Sequence, residues 1–166
     1  RLFGEVGSDR LAAARRGAAE LGCTVLLKGD ATVVADAEGT TFVNGTGTPW
    51  LATAGTGDVL AGILGAVLAT GLPAAEAAAV AAHVHGRAGQ LAAEEGPLIA
   101  GDLVRRLPET LARLRAGEAL DVGDLPAGAA QAVFLQGDDV GHALDRVDDA
   151  QVLQERLALA QRHAGD

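Results

Sequence analysis

The sequence predicts a three-layer α/β domain, on three observations. A helical period over residues 10–21 runs without a linker into a short apolar run of strand type, CTVLL, at residues 23–27. Two further strand-like runs, residues 31–36 and 40–44, flank Ala37-Glu38-Gly39, the pattern of a hairpin with glycine at its turn. Alanine-rich stretches then follow, separated by the glycine and proline stops that end helices. Residues 23–27 are expected inside the sheet, with residues 31–44 extending it.

Taken in order, Ser8 or Asp9 can cap the first helix, and Gly22 can end it. Residues 23–27 directly follow a helix and are wholly apolar apart from Thr24, which reads as a buried parallel strand. Lys28 and Gly29 then fall at the carboxyl end of that strand, where open α/β sheets gather their ligands. A lone lysine is ordinarily a solvated surface charge. The hairpin carries the chain from this lysine loop to Asn44, where a second loop begins.

That second loop, NGTGTPWLATAGTGDVLAG at residues 44–62, alternates glycine with threonine, places a carboxylate at Asp58 and enters an apolar segment, residues 59–69. Glycine allows tight turns and close approach to a ligand, and the free amides at a helix start attract an anion. Amides of Gly55, Thr56 and Gly57 are therefore a candidate anion hole for phosphate. Asp58, one peptide further on, is a candidate general base for an attacking hydroxyl. The plainer reading is a turn followed by an acidic residue in the first turn of a helix, where acids are favoured anyway.

Gly71-Leu72-Pro73 marks a stop and restart, and residues 74–94 form a second core helix whose alanine faces allow close packing. His83 and His85 on it are two residues apart, which points them to different faces and is the wrong spacing for a shared metal ion. Each is expected to be structural or on the surface, with His85 also a candidate to pack near the site. Glu95-Gly96-Pro97 breaks this helix, and residues 101–115 space Leu103, Val104, Leu107, Leu111 and Leu114 on one helical face. Pro108 within it predicts a kink or a split into two short helices. From Ala116 onward, glycine, proline and aspartate read as a linker, and one helix is expected over residues 148–163. Gly137-Asp138-Asp139 lacks the ligand pattern of a calcium loop.

At 166 residues, 49% of them hydrophobic, the chain suffices for one core. Aromatics are only 2%, so that core must be built from Ala, Val and Leu. A net charge of -9 argues against a nucleic-acid partner, which needs a cationic surface. Cys23 is the only cysteine, so no intrachain disulfide or multi-cysteine metal site is possible, and it is expected to be small and buried. The first residues lack the apolar core of a signal peptide, and a cytoplasmic setting is expected. Residues 59–75 carry no charge, but Gly62, Gly65, Gly71 and Pro73 interrupt them. A buried helix and a turn are expected there, not a membrane span.

The run Asn44, Thr46-Gly47-Thr48-Pro49 and Leu51-Ala52-Thr53-Ala54-Gly55-Thr56-Gly57-Asp58-Val59-Leu60-Ala61-Gly62 closely resembles the signature of the ADP-dependent NAD(P)H-hydrate dehydratases, in the ribokinase-like superfamily. The resemblance extends from about Asp9 through Lys28-Gly29-Asp30-Ala31-Thr32 to Gly96-Pro97-Leu98-Ile99-Ala100 and Leu107-Pro108, and fades after about Arg115. It implies a ribokinase-like three-layer α/β/α domain over residues 1–115, incomplete at the N-terminus, with residues 116–166 a linker and tail.

The resemblance also implies a reaction, the ADP-dependent dehydration of (S)-NAD(P)H hydrate to NAD(P)H. Asp58 would contact the hydrate and act as base, with Gly55 and Thr56 completing the catalytic loop. Gly57 would touch the nucleotide phosphate, and Lys28, Gly29, Asp30, Ala31 and Thr32 would line the AMP portion, with Asn44 beside them. ADP is then a co-substrate accompanied by Mg2+, with no dedicated metal ligands in the chain, and a homo-oligomer is compatible. Two other readings stay open at this point. One is a ribokinase-like kinase of a vitamin-precursor alcohol, which would use the same Gly-Thr-Gly-Asp chemistry. The other is a truncated, non-catalytic remnant that at most binds nucleotide.

Overall fold

The computed structural model describes residues 5–116, and the expected linker and the helix over residues 148–163 lie outside them. Helix α1, Arg10–Leu21, has the expected ends: Asp9 Oδ1 accepts from the Ala12 amide at 2.9 Å, and Gly22 closes the helix at φ 62°. Strands β1 (Val25–Leu27), β2 (Thr32–Ala35) and β3 (Thr41–Asn44) form one sheet in the order β1-β2-β3. The β2–β3 turn is tied by the Thr40 amide to Asp36 Oδ1 at 2.7 Å, with Gly39 at φ 100°.

Two expectations for β1 are corrected. It pairs antiparallel with β2, Leu27 opposite Val33, because four residues between the strands cannot make the long crossover a parallel pair requires. It also lies at the edge of the described sheet and is half-buried, not central and buried. Cys23, in the turn that leads into this edge, is exposed, against the expected burial.

The layers follow from the period of two along β2. Val33 and Ala35 meet Ala14 and Ala18 of α1 on one face, while Val34 meets Ala75, Ala78 and Ala79 on the other. Those alanines belong to α3, Ala74–Ala93, a helix buried on nearly every side, as its small apolar residues allow. Helices α2, Thr56–Ala69, and α4, Ala100–Arg115, pack on the far side of α3 through Val67, Val80, Val84 and Leu114. The result is helix, sheet, helices, the three expected layers.

Helix α4 continues through Pro108 as one element, correcting the expected split. Proline removes its own N–H and its ring crowds the carbonyl of Val104, but Val104 is 53% exposed, so that carbonyl can turn to water. A short 3-10 helix, η1 (Pro49–Ala52), stands inside the glycine-threonine loop, where no helix was expected. No helix among the described residues is long and apolar enough to cross a membrane.

Candidate functional site

A cavity of about 490 Å3 opens where the lysine loop, the end of β3 and the glycine-threonine loop converge. Lys28, Gly29, Asp30 and Thr32 form one wall, Asn44 to Pro49 with Leu51 and Ala52 a second, and Leu60, Ala82, His85 and Gly86 the floor.

Arg10, the first residue of α1, fixes the lysine loop. Its Nη2 donates to the Leu27 carbonyl at 3.2 Å and the Lys28 carbonyl at 2.5 Å, so the end of β1 is held by a charged donor. The same guanidinium fills the space where a side chain on Gly29 would stand. Lys28 itself is exposed, and its ammonium has no hydrogen-bond or ion-pair partner among the described residues.

The second wall is latched to α3. Asn44 Nδ2 donates to the carbonyls of Thr46 and Ala82, each at 3.3 Å, and Thr46 Oγ1 donates to Asn44 Oδ1 at 2.9 Å and to the His83 carbonyl at 3.3 Å. The carboxamide of Asn44 is therefore committed within the protein, although the residue lines the cavity. Gly86 lets the loop sit directly on the helix, since a Cβ there would overlap Thr46 Oγ1 and lie 2.7 Å from the Thr46 carbonyl carbon and oxygen.

The start of α2 holds the candidate anion hole. Gly55 is its N-cap at φ 85°, a conformation that favours glycine, and a Cβ there would meet Ala100 Cβ at 3.1 Å. Thr56 is buried, its hydroxyl donating to the carbonyls of Leu51 at 2.7 Å and Thr53 at 2.9 Å, so it builds the turn. Its amide points at the Thr53 carbonyl at 3.4 Å, whereas the amides of Gly55 and Gly57 meet no acceptor among the described residues. Gly57 lies inside the helix and has no positive φ, so the left-handed conformation at the start of α2 belongs to Gly55.

The two loops meet: a Cβ on Gly57 would stand 3.6 Å from Lys28 Nζ. Asp58 is in the first turn of α2, as expected, and exposed; neither it nor Gly55, Thr56, Gly57 or Ala31 is on the cavity wall itself. His85, a candidate to pack near the site, is 4% exposed on the cavity floor, with Nε2 2.8 Å from the Thr56 carbonyl oxygen. Burial, and then the nearby positive charge of Lys28, lower its pKa against the opposing pull of that hydrogen bond. His83 is also buried, with Nε2 unpartnered, and burial assisted by Arg87 pushes its pKa down to about 4. No group of three or more His, Cys, Asp or Glu suited to a metal ion exists among the described residues.

Arg10 and Gly86 escaped the sequence reading, and so did the contact that His85 makes. Arg10 and His85 act through contacts to backbone seventeen or more residues away, which no spacing rule reports. For Gly86 there was a signal, since a glycine inside an alanine-rich helix often marks a close approach.

Residues 1–113 match the profile of the NAD(P)H-hydrate dehydratase family. Over 92 residues the chain is 51% identical to the bifunctional NAD(P)H-hydrate repair enzyme Nnr of Mycobacterium leprae, covering 55% of this chain and 20% of that protein. Over 111 residues it is 43% identical to the ADP-dependent (S)-NAD(P)H-hydrate dehydratase of Neisseria meningitidis serogroup B, covering 67% of this chain and 38% of that one. Among solved structures it resembles the ADP/ATP-dependent NAD(P)H-hydrate dehydratase of Bacillus subtilis, co-crystallized with ATP/Mg2+, at TM-score 0.62 and 33% identity, over 66% of this chain and 40% of that one. The chain thus spans less than half the length of each of these relatives.

Proposed function

Because this chain belongs to the NAD(P)H-hydrate dehydratase family, we propose that it provides the nucleotide-phosphate site and the catalytic carboxylate for ADP-dependent dehydration of (S)-NAD(P)H hydrate. The observation that carries this reading is the meeting of the Lys28 ammonium with the free end of α2 at Gly57, beside a cavity of about 490 Å3. Phosphoryl transfer asks of a protein mainly position and charge. Lys28 and the open amides of Gly55 and Gly57 supply donors for the terminal phosphate of ADP. Gly29, Asp30 and Thr32 give the wall for the AMP portion, Ala31 only their spacing, and Asn44 the shape of the opposite loop.

Asp58 lies one residue beyond Gly57, exposed and unpaired with any described residue, so it is free to take the proton of a hydroxyl approaching that phosphate. The oxygen of the hydrated ring would attack the terminal phosphorus, AMP would leave, and loss of phosphate would restore the ring double bond. Thr56 supports this arrangement by fixing the turn through its two hydroxyl bonds.

Magnesium, as the family's nucleotide partner, would neutralise phosphate charge. The described residues offer no ligand set of their own for it, so it would travel with the nucleotide. A cytoplasmic setting is part of the same proposal.

The test is recovery of NADPH absorbance from hydrated NADPH in the presence of ADP, by this chain or a longer polypeptide that contains it. Activity abolished in Asp58→Ala, with ADP affinity retained, is the expected result. Full activity in that variant would remove Asp58 as base, and a stable phosphorylated product with ATP preferred over ADP would favour a small-molecule kinase.

A further inference from the structure

The cavity floor holds a group that this chemistry leaves unused. His85 Nε2 is 2.8 Å from the Thr56 carbonyl oxygen, an atom that can only accept. Nε2 therefore carries the proton, and in a neutral imidazole the other nitrogen, Nδ1, is an acceptor. Two surroundings keep the ring neutral: it is 4% exposed, and the charged group facing it from the lysine loop is the cationic Lys28. The free ring nitrogen is not sealed in protein. His83 Nε2 is the buried histidine nitrogen that lacks a partner, whereas His85 borders the cavity and has no such orphaned atom.

The neighbouring groups give this acceptor a meaning. Lys28 and the open amides at the start of α2 all donate, which suits any phosphate regardless of what it is attached to. A neutral imidazole acceptor adds recognition of something else, a hydroxyl or amino hydrogen on the organic part of the ligand. We propose that His85 is a ligand-contacting residue of this cavity, its Nδ1 accepting a hydrogen bond from an O–H or N–H donor of the bound nucleotide, while its Nε2–H holds the start of α2. The inference rests on the nucleotide reading of the cavity and adds to it a residue that separates nucleotides from simple phosphates.

The ring is tested by substitution. His85→Leu removes both nitrogens, whereas His85→Gln keeps a donor and an acceptor on one carbon, as Nε2 and Nδ1 are. Titrations of ADP and of inorganic pyrophosphate into the full chain should show ADP affinity reduced roughly tenfold in His85→Leu and largely retained in His85→Gln, with pyrophosphate affinity unchanged in both. Nitrogen NMR of the wild-type chain should show His85 with protonated Nε2 and bare Nδ1, and the Nδ1 resonance should move on adding ADP. That spectrum decides the matter even where the variant folds poorly. Equal ADP affinity in wild type and His85→Leu, an equal loss of pyrophosphate affinity, or an Nδ1 that is protonated or indifferent to ADP, overturns the inference while leaving the nucleotide site intact. A wild-type chain that binds no ADP overturns both.

Discussion

Replacing Gly86 by alanine tests how the second cavity wall is built. The new methyl would overlap Thr46 Oγ1 and stand 2.7 Å from the carbonyl carbon and oxygen of Thr46, and backbone cannot rotate away as a side-chain tip can. Relieving that overlap displaces the loop, and overpacking of this kind costs about 1–3 kcal/mol. Displacement also strains the bonds from Thr46 to the His83 carbonyl and from Asn44 to the Ala82 carbonyl, each worth about 1 kcal/mol. Helix propensity returns about 1 kcal/mol. The net expectation is a loss of about 2–4 kcal/mol, a fall in Tm on the order of 10 °C. Gly65→Ala is the matched control: it lies in α2, with open space around the position of a Cβ, and should gain about 0.5–1 kcal/mol from propensity alone. Thermal unfolding followed by circular dichroism reads both. A Gly86→Ala variant as stable as Gly65→Ala would mean that α3 and the loop do not touch as described.

Gly57→Ala should weaken ADP binding by at least about tenfold through crowding of the phosphate, with the fold intact, because Gly57 is helical and a Cβ would meet only Lys28 Nζ at 3.6 Å. Gly71→Ala should show the reverse in the same titration and melt: at φ 86° it stores strain of about 1 kcal/mol or more and costs stability, with ADP affinity unchanged. His83 gives a pH signature. Its folded pKa of about 4 lies below the ordinary 6.5, so the unfolded chain binds the proton more readily, and the associated stability is complete above 6.5 and lost as pH falls towards 4. The loss amounts to roughly 3 kcal/mol over that window. Urea midpoints measured across it should fall steeply for wild type and less for His83→Gln; parallel curves would show that His83 does not titrate between folded and unfolded states.

The parts legible in the sequence are those set by neighbouring residues. Asp9 and Gly22 mark both ends of α1 because capping needs a side-chain acceptor and a left-handed residue at fixed offsets. Gly39 marks the hairpin for the same kind of reason. The direction of β1 was misread because an apolar run reports burial, not the strand it pairs with. The length of the loop that follows, four residues, held the correction. Pro108 looked like a break because propensity is local, whereas α4 is held along its length by Leu103, Leu107, Leu111 and Leu114 against the other helices. In the candidate site, Lys28, Gly57 and Asp58 could be proposed from the loop pattern together with the family resemblance. The contacts of Arg10 and His85 could not, since they arise when α1 meets the end of β1 and α3 meets the start of α2.

The central claim is that Lys28 and the start of α2 hold the phosphates of a nucleotide. Calorimetric titration of the folded chain with ADP, run beside the Lys28→Ala variant at two salt concentrations, tests it most directly. Lys28 is exposed and unpaired among the described residues, so removing it should leave Tm unchanged. ADP affinity should drop by about tenfold or more, and its dependence on salt should flatten with the loss of one cationic contact. A Lys28→Ala chain that binds ADP as tightly as wild type, with the same salt dependence, would contradict the claim.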